Sequence, residues 1–282
     1  MSTSDQTTFV RASDPAVLVL RGDDAGEFLN GQVTNDVAAL ADGESRYALL
    51  LTAKGKLRAE LTIARDGDET LIVCAAEQLP TIVQTIDTFR IGYFFSSEDA
   101  SGRYALIHLL GTAEAPAAIG VPFVELTAPL GVDLLVETEE AEALTGALKV
   151  AGFREGSPAD HDAARVAAGV PAWPEELGED TFPAEAGLEE RAVSFEKGCY
   201  VGQETVARMH YKGRPNRHLR ILRADGALAT GAEVTAKDGR ALGQLGTVAA
   251  HGETAAALAI LRREAEPGDV VDAGGTPATI VR

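Results

Sequence analysis

Between Tyr47 and Ala75 the chain spells out three strands and two turns. Leu57, Ala59, Leu61 and Ile63 alternate with Arg58, Glu60 and Thr62. That period of two marks an antiparallel strand with one buried face. Tyr47–Thr52 is the apolar run before it, with Lys54-Gly55-Lys56 as the turn between them. Asp66-Gly67 turns the chain into a third run, Leu71–Ala75. A helix follows over Glu77–Phe89, where Leu79, Ile82, Val83 and Ile86 fall at helical spacing. Upstream, Ala16–Leu20 is a short strand. Asp24-x-x-Glu27 resembles a capping box that opens a brief helix through Phe28 and Leu29, and Gly31–Asp36 is a polar turn.

The next stretch has the same flavour. Tyr104–Leu110 reads as a strand, Ala113–Ile119 as a short helix and Val132–Glu137 as a strand. Glu139–Ala151 reads as a helix that Gly152 stops, and Pro158–Ala168 as another. Strand hairpins followed by helices imply an α+β fold with sheets covered on one face. Gly169–Glu196 carries Pro171, Pro174 and Pro183 and few regular signals; a loop this long is usually packed over something or functional. Beyond it the texture changes. Leu219–Arg223, Leu245–Ala249, Ala256–Leu261, Val270–Val271 and Ala278–Val281 are short apolar runs cut by glycines, the pattern of a small β-barrel or sandwich. The expected division is an α+β region over 1–212, made of two intertwined subdomains, and a barrel domain over 213–282.

Composition narrows the function classes. With 282 residues and 45% hydrophobic content the chain can bury a sizeable core. No apolar run approaches the roughly 18 residues of a membrane span, and no secretory leader is visible, so a cytoplasmic protein with no membrane partner is expected. Only Cys74 and Cys199 are present, which leaves no disulfide framework and no cysteine-rich metal site. A formal net charge of −18 argues against a general nucleic-acid binder. One island runs against it: Thr205–Ala224 contains no Asp or Glu but holds Arg208, Lys212, Arg214, Arg217, Arg220 and Arg223. It reads as a local anion site, or as the solvated face of a strand and loop.

Directly before that island stands Lys197-Gly198-Cys199-Tyr200-Val201-Gly202-Gln203-Glu204, followed by a helical segment over Val201–Met209. A thiol at the mouth of a helix, next to a lysine, meets two effects that favour thiolate over thiol. The alternative is a buried structural cysteine. Other chemistry is thinner. There is no P-loop and no dinucleotide fingerprint. His108, His161, His210, His218 and His251 are scattered. Asp160-His161-Asp162 reads as a helix start before it reads as a metal site, and a Cys199 pair with His210 or His218 is not defined by spacing.

The octapeptide resembles the signature of the YgfZ family, folate-binding proteins similar to the aminomethyltransferase (T-protein) of the glycine cleavage system. Further anchors are Phe28–Asp36, Tyr47–Gly55, Arg165–Gly169 with Pro171, and Pro183–Leu188. The aminomethyltransferases carry an acidic pair where this chain has Ala59 and Glu60, and a pterin-contacting glutamate where it has Ala167. They generally have an acidic residue in place of Cys199. The resemblance therefore implies a YgfZ-type protein and not a glycine-cleavage enzyme.

It implies a T-protein-like folate-binding fold of three subdomains around a central opening, ending in a β-barrel. It implies tetrahydrofolate or a folate derivative as ligand, and a role in assembly or repair of iron–sulfur enzymes, including tRNA-modifying clients. Cys199 is the key thiol of that reading. Lys197, Gly198, Tyr200, Gly202, Gln203, Glu204, Arg208, Arg214 and Asn35 are its folate contacts, and no metal ligands are assigned. A folate-dependent one-carbon transferase, with Glu60 as its carboxylate, and a folate-shaped scaffold that has lost its ligand are the rival readings.

Overall fold

The computed structural model describes residues 7–117 and 119–282. The chain divides into two compact units. One takes the chain up to Lys54, then Arg58–Pro158 and Arg191–Gln203; the other takes Gly55–Leu57, Ala159–Glu190 and Glu204–Arg282.

The first unit holds two five-stranded sheets. Its elements in chain order are β1 (Thr8–Arg11), β2 (Pro15–Arg21), α1 (Ala25–Gln32), β3 (Ser45–Leu51), β4 (Leu57–Asp66), β5 (Glu69–Ala75), α2 (Leu79–Phe89) and β6 (Ser96–Asp99). Then come β7 (Tyr104–Leu110), β8 (Val124–Ala128), β9 (Gly131–Glu137), α3 (Ala141–Val150) and β10 (Arg154–Glu155). One sheet has the order β3-β4-β5-β2-β6, the other β10-β1-β7-β9-β8.

The alternating strands are where the sequence placed them. Ala59, Leu61 and Ile63 of β4 join Ala16, Leu18 and Leu20 of β2 beneath Phe28 and Leu29 of α1 and Ile82 and Ile86 of α2. The opposite faces are not solvated, which corrects the expectation of sheets covered on one side. Val17 and Val19 of β2, and Leu71 and Val73 of β5, meet Tyr104, Leu126 and Leu135 of the second sheet in a dry layer. This is why β2 is apolar at every position from Ala16 to Leu20 and does not alternate. Helix α3 closes the far face of the second sheet through Ala141, Leu144 and Leu148.

Several local readings change. Residues 113–117 form no helix; Thr112 instead bonds the Glu114 backbone in a side-chain turn. Asp24 does not cap α1 with its side chain, because its carboxylate accepts from the Phe94 N–H at 2.7 Å. The segment taken as a polar turn from Gly31 begins inside α1, which runs through Gln32. Strands β1, β6 and β8 are too short or too polar to stand out in the sequence.

The second unit is a curled sheet, half of a barrel, with helix α4 (Pro158–Ala168) against it. A short α5 (Glu189–Ala192) and α6 (Gln203–Lys212) precede β11 (Arg217–Ala224), β12 (Glu233–Thr235), β13 (Ala241–Gln244), β14 (Val248–His251), β15 (Thr254–Arg262), β16 (Val270–Ala273) and β17 (Thr276–Ile280). Their order is β13-β12-β16-β17-β11-β15-β14. The curl brings the end of β13 back to β15. The Gly246 N–H donates to Leu258 O at 2.8 Å, and a Cβ on Gly243 would lie 2.8 Å from Ile260 O. Only glycine permits that approach.

A buried ion pair holds the long loop to this sheet. Arg165 donates to Asp162 Oδ1 at 3.0 Å, Glu176 Oε2 at 3.3 Å, Thr247 Oγ1 at 2.7 Å and Val170 O at 3.1 Å. Glu176 accepts from the backbone N–H groups of Ala172 and Thr247. Its side chain has no exposed surface, so the pair survives only because every oxygen is partnered.

Candidate functional site: the cysteine segment

The segment Arg191–Gln203 returns to the first unit and is tied there by two side chains. Thr34 is the first. It is fully buried, and its hydroxyl donates to Ala192 O at 2.5 Å and accepts from the Leu49 N–H at 2.9 Å. Its own carbonyl takes the Ser194 N–H at 3.0 Å. Lys197 is the second. Its Nζ donates to three backbone carbonyls: Asn30 at 2.6 Å, Val33 at 2.8 Å and Asn35 at 2.8 Å. An ammonium has three N–H bonds and no acceptor, so this cradle uses it completely. The Tyr200 ring lies 5.2 Å below the same nitrogen. Burial lowers the ammonium from its ordinary range to about 8, against which the nearby Asp36 carboxylate works.

This changes what Lys197 does. The sequence suggested a charge that activates the neighbouring thiol. The structure points that charge into the carbonyls of the α1 end and the turn after it. The helix dipole argument also shifts, since α6 starts at Gln203 and not at Val201, with the Gln203 N–H closing a turn onto Tyr200 O. Cys199 itself is exposed, four residues ahead of α6. Gly198 has no atom within 4 Å of where a side chain would start, and Gly202 adopts φ +88°, which favours glycine. Cys74 is buried on β5, and desolvation raises its thiol to about 12.

Asn35 continues the polar row. Its amide donates to Tyr47 O at 2.9 Å, and its Oδ1 accepts from the Asp36 N–H. The Tyr47 hydroxyl then donates to Glu60 Oε2 at 2.5 Å, and burial together with that carboxylate holds the phenol well above its usual range. Glu60 thus faces this row, whereas its neighbour Ala59 faces the core. The lysine cradle was invisible in the sequence because it joins segments far apart in the chain; the Tyr47–Glu60 pair, 13 positions apart on consecutive strands, needed the register of β3 against β4.

The remaining expected site residues lie in the second unit. Glu204, Arg208 and Arg214 are exposed, and both arginines are without an ion pair among the described residues. The rest of the basic island is partly committed to structure. Arg217 pairs with buried Glu185 at 2.8 Å, and Arg220 donates to Ala265 O at 2.8 Å. Burial lowers the Arg220 guanidinium and the His218 imidazole. Ala167, in the glutamate's place, lines a cavity of about 370 Å³ with Val166, Ile221, Arg223, Ala249 and His251. Among the described residues no cluster of His, Cys, Asp and Glu has the makings of a metal site, and no helix is long and apolar enough to cross a membrane.

Comparison with known proteins bears on the fold and on the relatives of the chain. Residues 5–118 match the GCVT N-terminal domain family. The tRNA-modifying protein YgfZ of Escherichia fergusonii is 28% identical over 236 residues, covering 76% of this chain and 71% of its own. The chain is YgfZ-like. An aminomethyltransferase of Streptomyces coelicolor is 27% identical over 74% of this chain and 65% of its own. The fold is that of the glycine cleavage system aminomethyltransferase T of Bartonella henselae, with a TM-score of 0.81 over 99% of this chain and 86% of that one, at 19% identity. On this fold the 197–204 octapeptide has its thiol exposed and its lysine turned inward.

Proposed function

We propose that this chain is a folate-binding protein serving tRNA modification, that it supports iron–sulfur enzymes, and that Cys199 is its working thiol. The observation that carries the reading is the contrast within one short segment: Lys197 is locked into three carbonyls while Cys199, two residues on, is exposed beside open space at Gly198. A purely structural cysteine would be buried, as Cys74 is. An exposed thiol on an anchored backbone suits a transient ligand for iron or sulfur, and one cysteine does not hold a stable cluster, which takes about four protein ligands. The folate part rests on the fold and on residues able to meet it. Exposed Arg208 and Arg214 suit the carboxylates of a glutamate tail, and the open space at Gly198 suits the approach of a flat ring. Lys197 and Asn35 contribute by shaping the segment, since their polar groups are engaged within the protein, and the Tyr200 ring packs under the Lys197 ammonium.

The test is complementation of a deletion strain. Cys199→Ser is expected to fold, to retain tetrahydrofolate affinity in direct titration, and to lose iron–sulfur enzyme activity and the dependent tRNA modification. Full rescue by the serine variant rejects the thiol role; absence of tetrahydrofolate binding by the wild-type chain rejects the folate role.

A folate-dependent one-carbon transferase is favoured by one observation, the Glu60 carboxylate held by the Tyr47 hydroxyl at 2.5 Å. Ammonia and methylene-folate production from an aminomethyl carrier protein, lost in Glu60→Gln, would support that reading over the first.

A further inference from the structure

The turn that follows α2 carries three large apolar side chains into solvent. Phe89 is 50% exposed, Ile91 86% and Phe94 82%. Phe89 ends α2, the Tyr93 N–H closes a turn onto Arg90 O at 3.0 Å, and Gly92 takes φ +92°. The chain reverses there, which sets Phe89 and Phe94 on the two arms of the turn with Ile91 near its tip.

Underneath, the turn is firmly held. Phe95 is buried, the Phe28 ring lies 5.4 Å from Tyr93 and 5.1 Å from Phe95, and the Arg90 guanidinium stacks 4.9 Å over Phe95 while donating to its carbonyl. Asp24 takes the Phe94 N–H, and a Cβ on Gly22 would sit 2.8 Å from Phe95 Cα. Tyr93 and Phe95 therefore point inward, and the residues between and before them have no room to do the same. An ordered turn that presents two aromatics and an isoleucine has already lost the conformational freedom that binding would otherwise take from it.

The surroundings identify the kind of partner. Asp23 and Glu27 are exposed beside the corner where Asp24 holds the turn, and Asp87 is exposed one helical turn before Ile91. Arg90, the cation within the turn, is folded beneath it, and Arg21 is paired with Glu69 and Glu98. A second copy would bring like charges together, and an anionic lipid surface would be repelled. Three apolar side chains this exposed, with an acidic rim, are complemented by an apolar cleft with basic flanks. The outer edge of β6, Ser96–Asp99, all of it exposed, runs directly on from the turn and adds backbone donors and acceptors at the rim.

We propose that the Phe89–Ile91–Phe94 turn is a protein-docking knob, and that its partner is a different protein with an apolar cleft flanked by lysine or arginine. Isolated exposed apolar residues need no explanation, but three on one ordered turn with a single-sign rim do.

The test places a photocrosslinking benzoylphenylalanine at Ile91 of the full chain in cells, with Val150, equally exposed on α3, as the control position. The crosslinked peptides are then mapped. The expected result is one heterologous protein, joined at a Lys- or Arg-flanked apolar surface, from Ile91 and not from Val150. The purified pair should lose at least tenfold in affinity with Ile91→Ser, and likewise with Asp23→Lys combined with Asp87→Lys. Crosslinks to a second copy, to lipid or to nothing overturn the proposal. So does a heterologous partner whose affinity is unchanged by the charge reversals.

Discussion

Lys197 and Asn35, 162 positions apart, meet as ammonium and backbone carbonyl at 2.8 Å. Both were expected to contact a ligand. Each holds the other in place: Asn35 offers its carbonyl to the ammonium and its amide to Tyr47 O, while Lys197 closes the cradle with Asn30 and Val33. The cysteine segment takes its position from this arrangement.

Replacing that lysine should cost the segment its anchor. Lys197→Met leaves three carbonyls without their donor, at about 1–3 kcal/mol for each one that water does not reach. We expect a lower Tm, and faster amide exchange confined to 191–203 and 30–36, whereas Lys197→Arg should keep part of the anchor. Unchanged exchange in Lys197→Met would show the cradle to be dispensable.

The same residue sets a pH dependence. Burial lowers its ammonium to about 8 from the usual value of 10.5. Between those two values the unfolded chain holds a proton that the folded chain does not, so the lysine's contribution to stability rises with pH across that window and is least favourable below it. Locally the effect is opposite, since a neutral amine has two N–H bonds for three carbonyls. Carbon NMR of the lysine side chains should show one resonance with a midpoint near 8, absent in Lys197→Arg. A midpoint near 10.5 for every lysine would contradict the burial.

The two cysteines should separate cleanly in reactivity. Cys74 is buried with its thiol raised to about 12, and Cys199 is exposed. Iodoacetamide at pH 7.5 should modify Cys199 at least a hundredfold faster, as read by peptide mass spectrometry, and tetrahydrofolate should slow that reaction. Faster labelling of Cys74 would contradict the packing of β5.

Of the basic island, Arg208 and Arg214 are the exposed arginines free of an ion pair among the described residues, while Arg217 and Arg220 are bonded within the fold. Reversing the charge of Arg208 and Arg214 should weaken binding of polyglutamylated tetrahydrofolate by about threefold to tenfold and flatten its salt dependence, with the monoglutamate less affected. Equal loss for both ligands would remove the island from tail binding.

Glu176→Ala should be among the most damaging single changes in the second unit. It leaves Asp162 as the counter-charge of the Arg165 guanidinium and strands two backbone N–H groups at about 1–3 kcal/mol each, so the expected loss is about 3 kcal/mol. Thermal unfolding measures it, and a loss under 1 kcal/mol would mean that water enters the site.

The sequence by itself determined the local architecture and the resemblance. Strand β7, Tyr104–Leu110, and helix α4, Pro158–Ala168, were legible to the residue, because a short apolar run and a helix-starting proline are local signals written within a few neighbouring positions. The cysteine octapeptide was legible for the same reason. Tertiary structure decided what the octapeptide's side chains do. Nothing within Lys197–Glu204 says that the lysine points at Asn30, Val33 and Asn35, since its partners are backbone carbonyls, which every residue has. Nor does β2 say that its second apolar face meets Leu126 and Leu135 of another sheet. The direction of a charge and the covering of a face depend on which distant segment arrives, and that is settled by packing the whole unit at once.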